Sequence, residues 1–382
     1  MSIKIITAHY LPKINAGSIR LKSFVKSWKK KCDIEILTEN NKTIEEEKYI
    51  ERTFTKLASN NQTFLYRIVF EIIFSIEVFI RLLFSKDDDL YFVSSPPFLL
   101  AVSVFMVSKI KKNEYILDVR DLYPEILFNL NIIKRNGILA NILLYFEKTI
   151  YNNALTISTV TNGLLKHISK KTDNKNIYLI RNGYDKDLFY YKKLDKNKDQ
   201  FTIMFHGTIG KLQNIELMLD YAELLLRKNI HDINFLIIGD GGKSDYLKKE
   251  IKNRKLNNID YLGRKHIKEI PEIINSVDLG ISPRMDGVIG KTAFPVKVYE
   301  YLACGVPVLV TPISEVGSFL ENNNIGYQLP NDIEELHDII MYIKNNKEIY
   351  QELVDNAKEK SKKFERSKIA DNYFNIIKSH IR

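Results

Sequence analysis

In the stretch Phe294-Pro295-Val296-Lys297-Val298-Tyr299-Glu300-Tyr301-Leu302-Ala303-Cys304-Gly305, Lys297, Glu300, Tyr301 and Cys304 recur at i, i+3, i+4 and i+7. That spacing places side chains on one face of a helix. Pro295 has its φ preset for a first helical turn. Gly305 suits the left-handed cap that ends a helix, and Pro307 forbids continuation. Val308-Leu309-Val310-Thr311 then reads as a buried strand. Lys297 stands where the helix dipole disfavours a cation, by roughly 0.3–1 kcal/mol. The placement makes sense where an anion docks, since the first N–H groups of a helix are free to bind phosphate. One turn on, Glu300 can accept two hydrogen bonds from a vicinal diol such as a ribose. The alternative is a solvated lysine and a glutamate paired with a neighbouring side chain.

A second concentration of charge, Asp118-Val119-Arg120-Asp121-Leu122-Tyr123-Pro124-Glu125, closes a buried strand over 114–119. Ligands of open α/β sheets collect at the carboxyl ends of strands. Carboxylates flanking an arginine there are costly unless paired or used. Two readings stand: an internal Asp–Arg clamp, or groups acting on a substrate, with Asp121 ahead of Asp118.

The elements that must position these groups alternate along the chain. A strand at Ile3–Thr7 leads through His9-Tyr10-Leu11-Pro12 to Gly17. A helix follows from Ser18 to Lys31, with Leu21, Phe24, Val25 and Trp28 on its apolar stripe. Strand, glycine loop, helix is the phosphate-cradling order of doubly wound folds, here with one glycine. The outer face of this helix carries Arg20, Lys22, Lys26, Lys29, Lys30 and Lys31. It is either a solvated face or one drawn to anionic lipid head groups or an acceptor's pyrophosphate. The 20 or so polar residues after the second strand, Asp33–Thr38, read as a connection. Phe64–Phe84 is the most apolar stretch, with Arg67, Glu71, Glu77 and Arg81 confined to one arc of a helix. Such a helix is clasped by protein or pressed into a bilayer interface. A polar stretch at Tyr190–Gln200 reads as a linker, after which strands and helices alternate again from Phe201.

With 382 residues the chain fits two α/β domains with parallel sheets, residues 1–190 and 200–364. Its net charge of +10 suits an anionic partner. Scattering of the basic residues over several helices argues against nucleic acid, and the lack of a Gly-x-Gly-x-x-Gly run after the first strand argues against a dehydrogenase. Cys32 and Cys304 make no disulfide framework and fit a reducing cytoplasm. The first residues are too strand-like for a signal peptide, and no stretch demands a spanning helix.

The unit FPVKVYEYLACGVPV resembles the donor-binding signature of the retaining nucleotide-sugar glycosyltransferases of family 4, in particular the branch that builds bacterial O-antigen and capsule repeats. The resemblance implies the GT-B fold: two Rossmann-like doubly wound domains facing across a cleft, with a terminal helix, residues 365–382, crossing back to the first. It implies a cytoplasmic enzyme on the inner face of the plasma membrane. This enzyme moves a hexosyl or N-acetylhexosaminyl group from a UDP-sugar to a polyprenyl-diphosphate-linked acceptor, without cofactor or metal and without nucleic acid. Lys297 and Glu300 then meet the donor's diphosphate and ribose, Gly17 lies under the diphosphate, and Arg264 meets the nucleobase. Arg181-Asn182-Gly183-Tyr184-Asp185 resembles the Asn-Gly-x-Asp turn that ends the first domain. His206-Gly207-Thr208-Ile209-Gly210-Lys211 resembles the family's phosphate loop, with Gly207 and Gly210 as its glycines. Its usual Arg and Lys positions hold Thr208 and Gln213, leaving Lys211 as the substitute. The family's first glutamate position holds Thr292, and Arg120 stands where many members have a histidine. Asp121, with Asp118 and Arg120, is therefore the expected acceptor-side catalytic set. One rival is a UDP-sugar 2-epimerase on the same fold; a second, suggested by these departures, is a non-catalytic nucleotide-sugar-binding scaffold.

Overall fold

Short β-branched runs separated by amphipathic helices can bury both faces of every strand only in parallel sheets with helices on each side. The computed structural model, which describes residues 1–13, 15–41, 48–57, 62–85, 89–129, 132–194 and 199–381, contains two such sheets. Met1–Asn182 together with Arg366–Arg382 make one compact unit, and Gly183–Glu365 the other.

Unit 1 runs β1 (Ser2–Ile6), α1 (Ala16–Trp28), β2 (Asp33–Thr38), β3 (Ile50–Arg52), α2 (Phe64–Phe84), β4 (Leu90–Ser95), α3 (Phe98–Lys111) and β5 (Tyr115–Val119). It continues with α4 (Glu125–Asn129), α5 (Ile138–Asn153), β6 (Thr156–Thr159), α6 (Asn162–Ser169) and β7 (Ile177–Leu179). Unit 2 holds β8 (Phe201–His206), α7 (Ile215–Arg227), β9 (Ile233–Ile238), α8 (Ser244–Asn253), β10 (Ile259–Tyr261), α9 (Ile270–Ser276) and β11 (Leu279–Pro283). It ends with α10 (Val288–Thr292), α11 (Val296–Ala303), β12 (Val308–Thr311), α12 (Glu315–Asn322), β13 (Gly326–Gln328), α13 (Ile333–Asn345) and α14 (Lys347–Ser361). The last helix, α15 (Arg366–His380), belongs to unit 1. Strand order is β3-β2-β1-β4-β5-β6-β7 in unit 1 and β10-β9-β8-β11-β12-β13 in unit 2. The order reverses at β1/β4 and at β8/β11, and such switch points open crevices at the carboxyl ends of strands.

Several expectations shift. The helix expected from Ser18 starts at Ala16, because Asn15 accepts the Ser18 N–H and Ser18 Oγ accepts the Asn15 N–H, a capping box that sets the first turn. Gly17 thus lies inside that turn. The stretch read as a connection contains β3, paired in parallel with β2. The first unit ends at Asn182, ahead of the expected 190, because Tyr184 and Phe189 are buried in the core of unit 2.

Arg20, read as part of an outer basic face, is 1% exposed. Its guanidinium donates to Asp118 (2.9 and 3.3 Å) and to the Arg181 carbonyl (3.0 Å). Asp118 is fully buried and also accepts from Ser158 Oγ at 2.6 Å. The clamp is real, but its arginine comes from α1 and not from position 120. Along the same face of α1, Trp28 stacks on Phe24 (centroids 4.9 Å apart) and donates to the Ala370 carbonyl of α15 (2.8 Å).

Helix α2 has both characters that its composition allowed. Phe74, Val78 and Leu82 are buried, whereas Ile72, Ile73, Ile76, Ile80 and Phe84 are exposed. Glu77 accepts the Phe54 and Thr55 N–H groups (2.6 and 2.9 Å) and is paired with Arg81. The charged arc therefore serves the protein's own backbone, and an apolar flank is left in solvent. The uncharged run 90–108 is divided by Pro96-Pro97, and no helix among the described residues is long and apolar enough to cross a membrane.

Removing one partner of a buried ion pair leaves an uncompensated charge, at a cost of about 3–5 kcal/mol. Asp118→Ala should therefore lower the urea midpoint of unit 1, followed through the fluorescence of Trp28, the chain's single tryptophan. Arg20→Met combined with Asp118→Leu should lose less than the two single losses summed; full additivity would show that the pair is not coupled.

Candidate functional site

Both switch points carry charge. In unit 2, α11 is seated by buried Val298, Tyr299, Tyr301 and Leu302. Tyr301 donates its hydroxyl proton to the Met204 carbonyl (2.7 Å) and accepts the His206 N–H (3.1 Å). This stitch fixes the start of α11 beside the end of β8. Pro295 occupies the N-cap position, no side chain caps the helix, and Gly305 ends it at φ +70°. The first N–H groups of α11 are thus free of side-chain acceptors, as an anion site requires.

Lys297 lies over this end of the sheet, with Nζ 3.7 Å above the centre of the Phe205 ring. A Cβ on Gly207, itself at φ +124°, would come within 3.2 Å of Nζ, so any larger residue would crowd the lysine. The ammonium is buried without a hydrogen-bond partner among the described residues. Its pKa is pushed down to about 7 by burial and then by the nearby Arg284 charge, against a smaller pull from Glu300. Arg284, one residue beyond β11, is itself lowered by burial, and its Nε is buried with no hydrogen-bond partner among the described residues. His206 is driven down to about 3 by burial and by Lys297, so its ring is neutral. Glu300 Oε2 lies 3.5 Å from His206 Nε2, and with a neutral imidazole this is a polar contact without an ion pair. Two desolvated cations and one carboxylate surround free helix N–H groups: the arrangement carries excess positive charge and suits an oxyanion beside a diol.

The other expected residues fall unevenly. Lys211 and Arg264 are exposed, the former after β8 and the latter in the loop after β10, where its charge acts on Asp240. A Cβ on Gly210 would make only ordinary contact with Thr208, so no close approach explains that glycine. Arg284 escaped the sequence reading because its place at the switch point depends on strand order; the readable signal was a charged residue directly after the apolar run 279–283.

In unit 1 a pocket of about 420 Å³ opens at the ends of β1, β4 and β5, lined by Gly17, Arg120 and Asp121 together with His9, Arg67 and Glu71. Asp118 is not among its lining residues, being locked to Arg20. Arg120 packs on Gly17 so closely that a Cβ there would overlap the guanidinium, and its Nε is buried with no hydrogen-bond partner among the described residues. Burial lowers Arg120. Asp121 is an exposed residue lining the pocket, and partial desolvation of its carboxyl there raises it, opposed by Arg120. Glu71 is raised by burial against backbone and Arg67 contacts. Behind His9 stands Glu39, 2% exposed, with Oε1 2.5 Å from His9 Nδ1 and 3.3 Å from Lys13 Nζ. Among the described residues no three His, Cys, Asp or Glu side chains gather as a metal site.

Residues 188–360 match the family model for glycosyl transferases group 1, and this part of the chain is a domain of that family. The chain is 27% identical over 230 residues to an uncharacterized glycosyltransferase of Methanocaldococcus jannaschii, covering 58% of each. It is 24% identical over 259 residues to the probable glycosyltransferase WbjE of Pseudomonas aeruginosa, covering 64% of this chain and 63% of that one. The chain therefore spans less than two thirds of either relative. The solved structure of HepE from Anabaena, in complex with UDP, superposes at a TM-score of 0.72 with 14% identity, over 99% of this chain and all of the other. That likeness shows the fold, GT-B, with two Rossmann-like domains.

An anion bound beside Lys297 favours its ammonium form, half of which the free protein has lost by about pH 7. Binding of inorganic pyrophosphate at about pH 8 should take up close to one proton, and affinity should fall as pH rises. Calorimetry in two buffers of different ionisation enthalpy reads the uptake. Lys297→Met should abolish it; equal proton uptake by both proteins would remove Lys297 from the site.

Proposed function

We propose that this chain, with its glycosyltransferase group 1 domain, transfers a hexosyl or N-acetylhexosaminyl group from a UDP-sugar to a polyprenyl-diphosphate-linked saccharide in bacterial surface polysaccharide synthesis, of O-antigen or capsule type. Configuration is retained and no divalent metal takes part. The observation that carries the reading is the pair of buried cations in unit 2, Lys297 and Arg284, whose Nζ and Nε have no hydrogen-bond partner among the described residues. A nucleoside diphosphate brings that anion, and its ribose offers Glu300 the vicinal diol. As the anomeric C–O bond breaks, charge grows on the diphosphate. Preorganised cations and helix N–H groups stabilise this charge better in the transition state than in the ground state. The acceptor belongs to the unit 1 pocket, where Asp121 orients the attacking hydroxyl and Arg120 and Arg67 offer charge to an acceptor's phosphates.

The chain works at the inner surface of the plasma membrane, in the cytoplasm. Helix α3 packs against both α2 and α5, and all three expose apolar side chains, among them Ile73, Ile76, Ile80, Ile110, Ile138 and Tyr145. A lipid-linked acceptor lies in a bilayer, and an apolar face on a chain of net charge +10 favours an anionic one.

A cognate UDP-sugar at about 100 times its dissociation constant should stabilise the protein by roughly 2.7 kcal/mol in thermal shift. Glu300→Ala should lose this stabilisation; Asp121→Ala should keep it and lose transfer. Transfer surviving in both variants would defeat the site assignment, and turnover of donor without lipid acceptor would favour an epimerase. Replacing Ile73, Ile76 and Ile80 by serine should weaken sedimentation with phosphatidylethanolamine–phosphatidylglycerol vesicles about tenfold. Unchanged sedimentation would leave the acceptor, and not α2, to hold the protein at the membrane.

A further inference from the structure

A lysine and a glutamate three residues apart on a helix ordinarily pair, and away from water their attraction grows. Lys297 and Glu300 stand so in α11, yet Lys297 Nζ has no hydrogen-bond partner among the described residues, and the pull of Glu300 on it is smaller than the push of Arg284. Were the two paired, a diphosphate would have to break the pair to reach its cation, and a ribose to reach its carboxylate. What keeps them apart comes from the end of β8. Phe205 carries the ammonium over its ring, and Gly207 leaves it room. Between these two residues, His206 sets Nε2 3.5 Å from Glu300 Oε2. The ring is buried and held in place: the His206 N–H donates to the Tyr301 hydroxyl (3.1 Å), and the two rings meet edge-on with centroids 4.8 Å apart. Among the described residues no other side chain makes a hydrogen bond or ion pair with the imidazole. Burial and Lys297 keep it neutral. An ionised carboxylate can only accept, so the single ring N–H faces Glu300 from Nε2. At 3.5 Å it acts on the carboxylate as a dipole, short of a formed hydrogen bond.

We infer that His206 is a positioning residue of the donor site: its neutral ring holds the Glu300 carboxylate away from the Lys297 ammonium, so that one helix face offers a cation to a diphosphate and a carboxylate to a ribose at the same time. The inference rests on the nucleotide-sugar reading and lies wholly within unit 2. A cationic side chain at position 206 would neutralise Glu300, and an apolar one would release it to Lys297.

The test follows the proton taken up when inorganic pyrophosphate binds at about pH 8, by calorimetry in two buffers of different ionisation enthalpy. Arg284 and Glu300 are the charges that act on Lys297, and with Glu300 held off the wild-type lysine is mostly neutral at that pH. Binding should therefore take up close to one proton. His206→Phe keeps an aromatic ring against Tyr301 and removes the N–H. Glu300 should then close on Lys297 and favour its charged form before any anion arrives, so that uptake falls to about half or less. Adding Glu300→Gln removes the closing carboxylate and should restore uptake to nearly the wild-type value. His206→Gln, which keeps an N–H donor, should stay close to wild type. Full uptake by His206→Phe overturns the inference. So does a loss that Glu300→Gln fails to restore, which would make His206 a packing residue only. Should His206→Phe not fold, nitrogen NMR of histidine-labelled wild type decides: a neutral ring protonated at Nε2 is expected at neutral pH, and a charged ring or a proton on Nδ1 overturns the inference. Wild-type binding without proton uptake would remove Lys297 from the anion site and defeat the nucleotide-sugar reading, and this inference with it.

Discussion

The switch point of unit 2 is arranged around the Lys297 ammonium, held out of water with no hydrogen-bond partner among the described residues. Taking Lys297 from its ordinary 10.5 to about 7 amounts to roughly 5 kcal/mol of lost preference for the charged form. Such a position persists only where surrounding structure fixes it. Here the fixing elements are named: the Tyr301 hydroxyl ties α11 to β8 through both Met204 and His206, the Phe205 ring supports Nζ, and Gly207 makes room. Arg284 adds a second positive charge where one is already unfavourable. The local cost in stability is what a preorganised anion site requires, its counter-charges being in place before any ligand arrives.

Unit 1 deals with charge in the opposite way. Arg20 and Asp118 are both buried and satisfy each other, with Ser158 and the Arg181 carbonyl completing their hydrogen bonds. That pair pins α1 to β5 and so sets the floor on which Gly17 and Arg120 meet. The pocket above it is mixed, with arginines, carboxyls and an imidazole in one concavity. Mixed polarity suits a hydroxyl-rich, partly anionic ligand better than a bare phosphate.

Local signals carried the sequence reading a long way. Pro295 and Gly305 announced α11 to within a residue, because cap and stop are set by backbone preferences of single residues. The two-sheet architecture followed from the alternation of short apolar runs with amphipathic helices. What could not be read was pairing over distance. Arg20 stands one turn before Phe24, on the buried stripe of α1, but its partner lies 98 residues away. Arg284 and Glu39 depend on which strands are neighbours, which propensity does not encode. Thr208 and Gln213 carry no charge, and buried cations stand instead at Lys297 in α11 and at Arg284, one residue beyond β11.

Trp28 and its aromatic neighbours have a counterpart far along the chain. Their cover is α15, which follows the whole of unit 2 in sequence. A ribosome therefore releases Gly183–Glu365, a contiguous piece, before the residues that complete the earlier-made half. The amino-terminal unit, which ordinarily settles first, here lacks one of its elements until unit 2 has been made. Until the final helix emerges, the nascent protein presents one finished sheet and one with its aromatic seam uncovered, the state in which chaperones would find it.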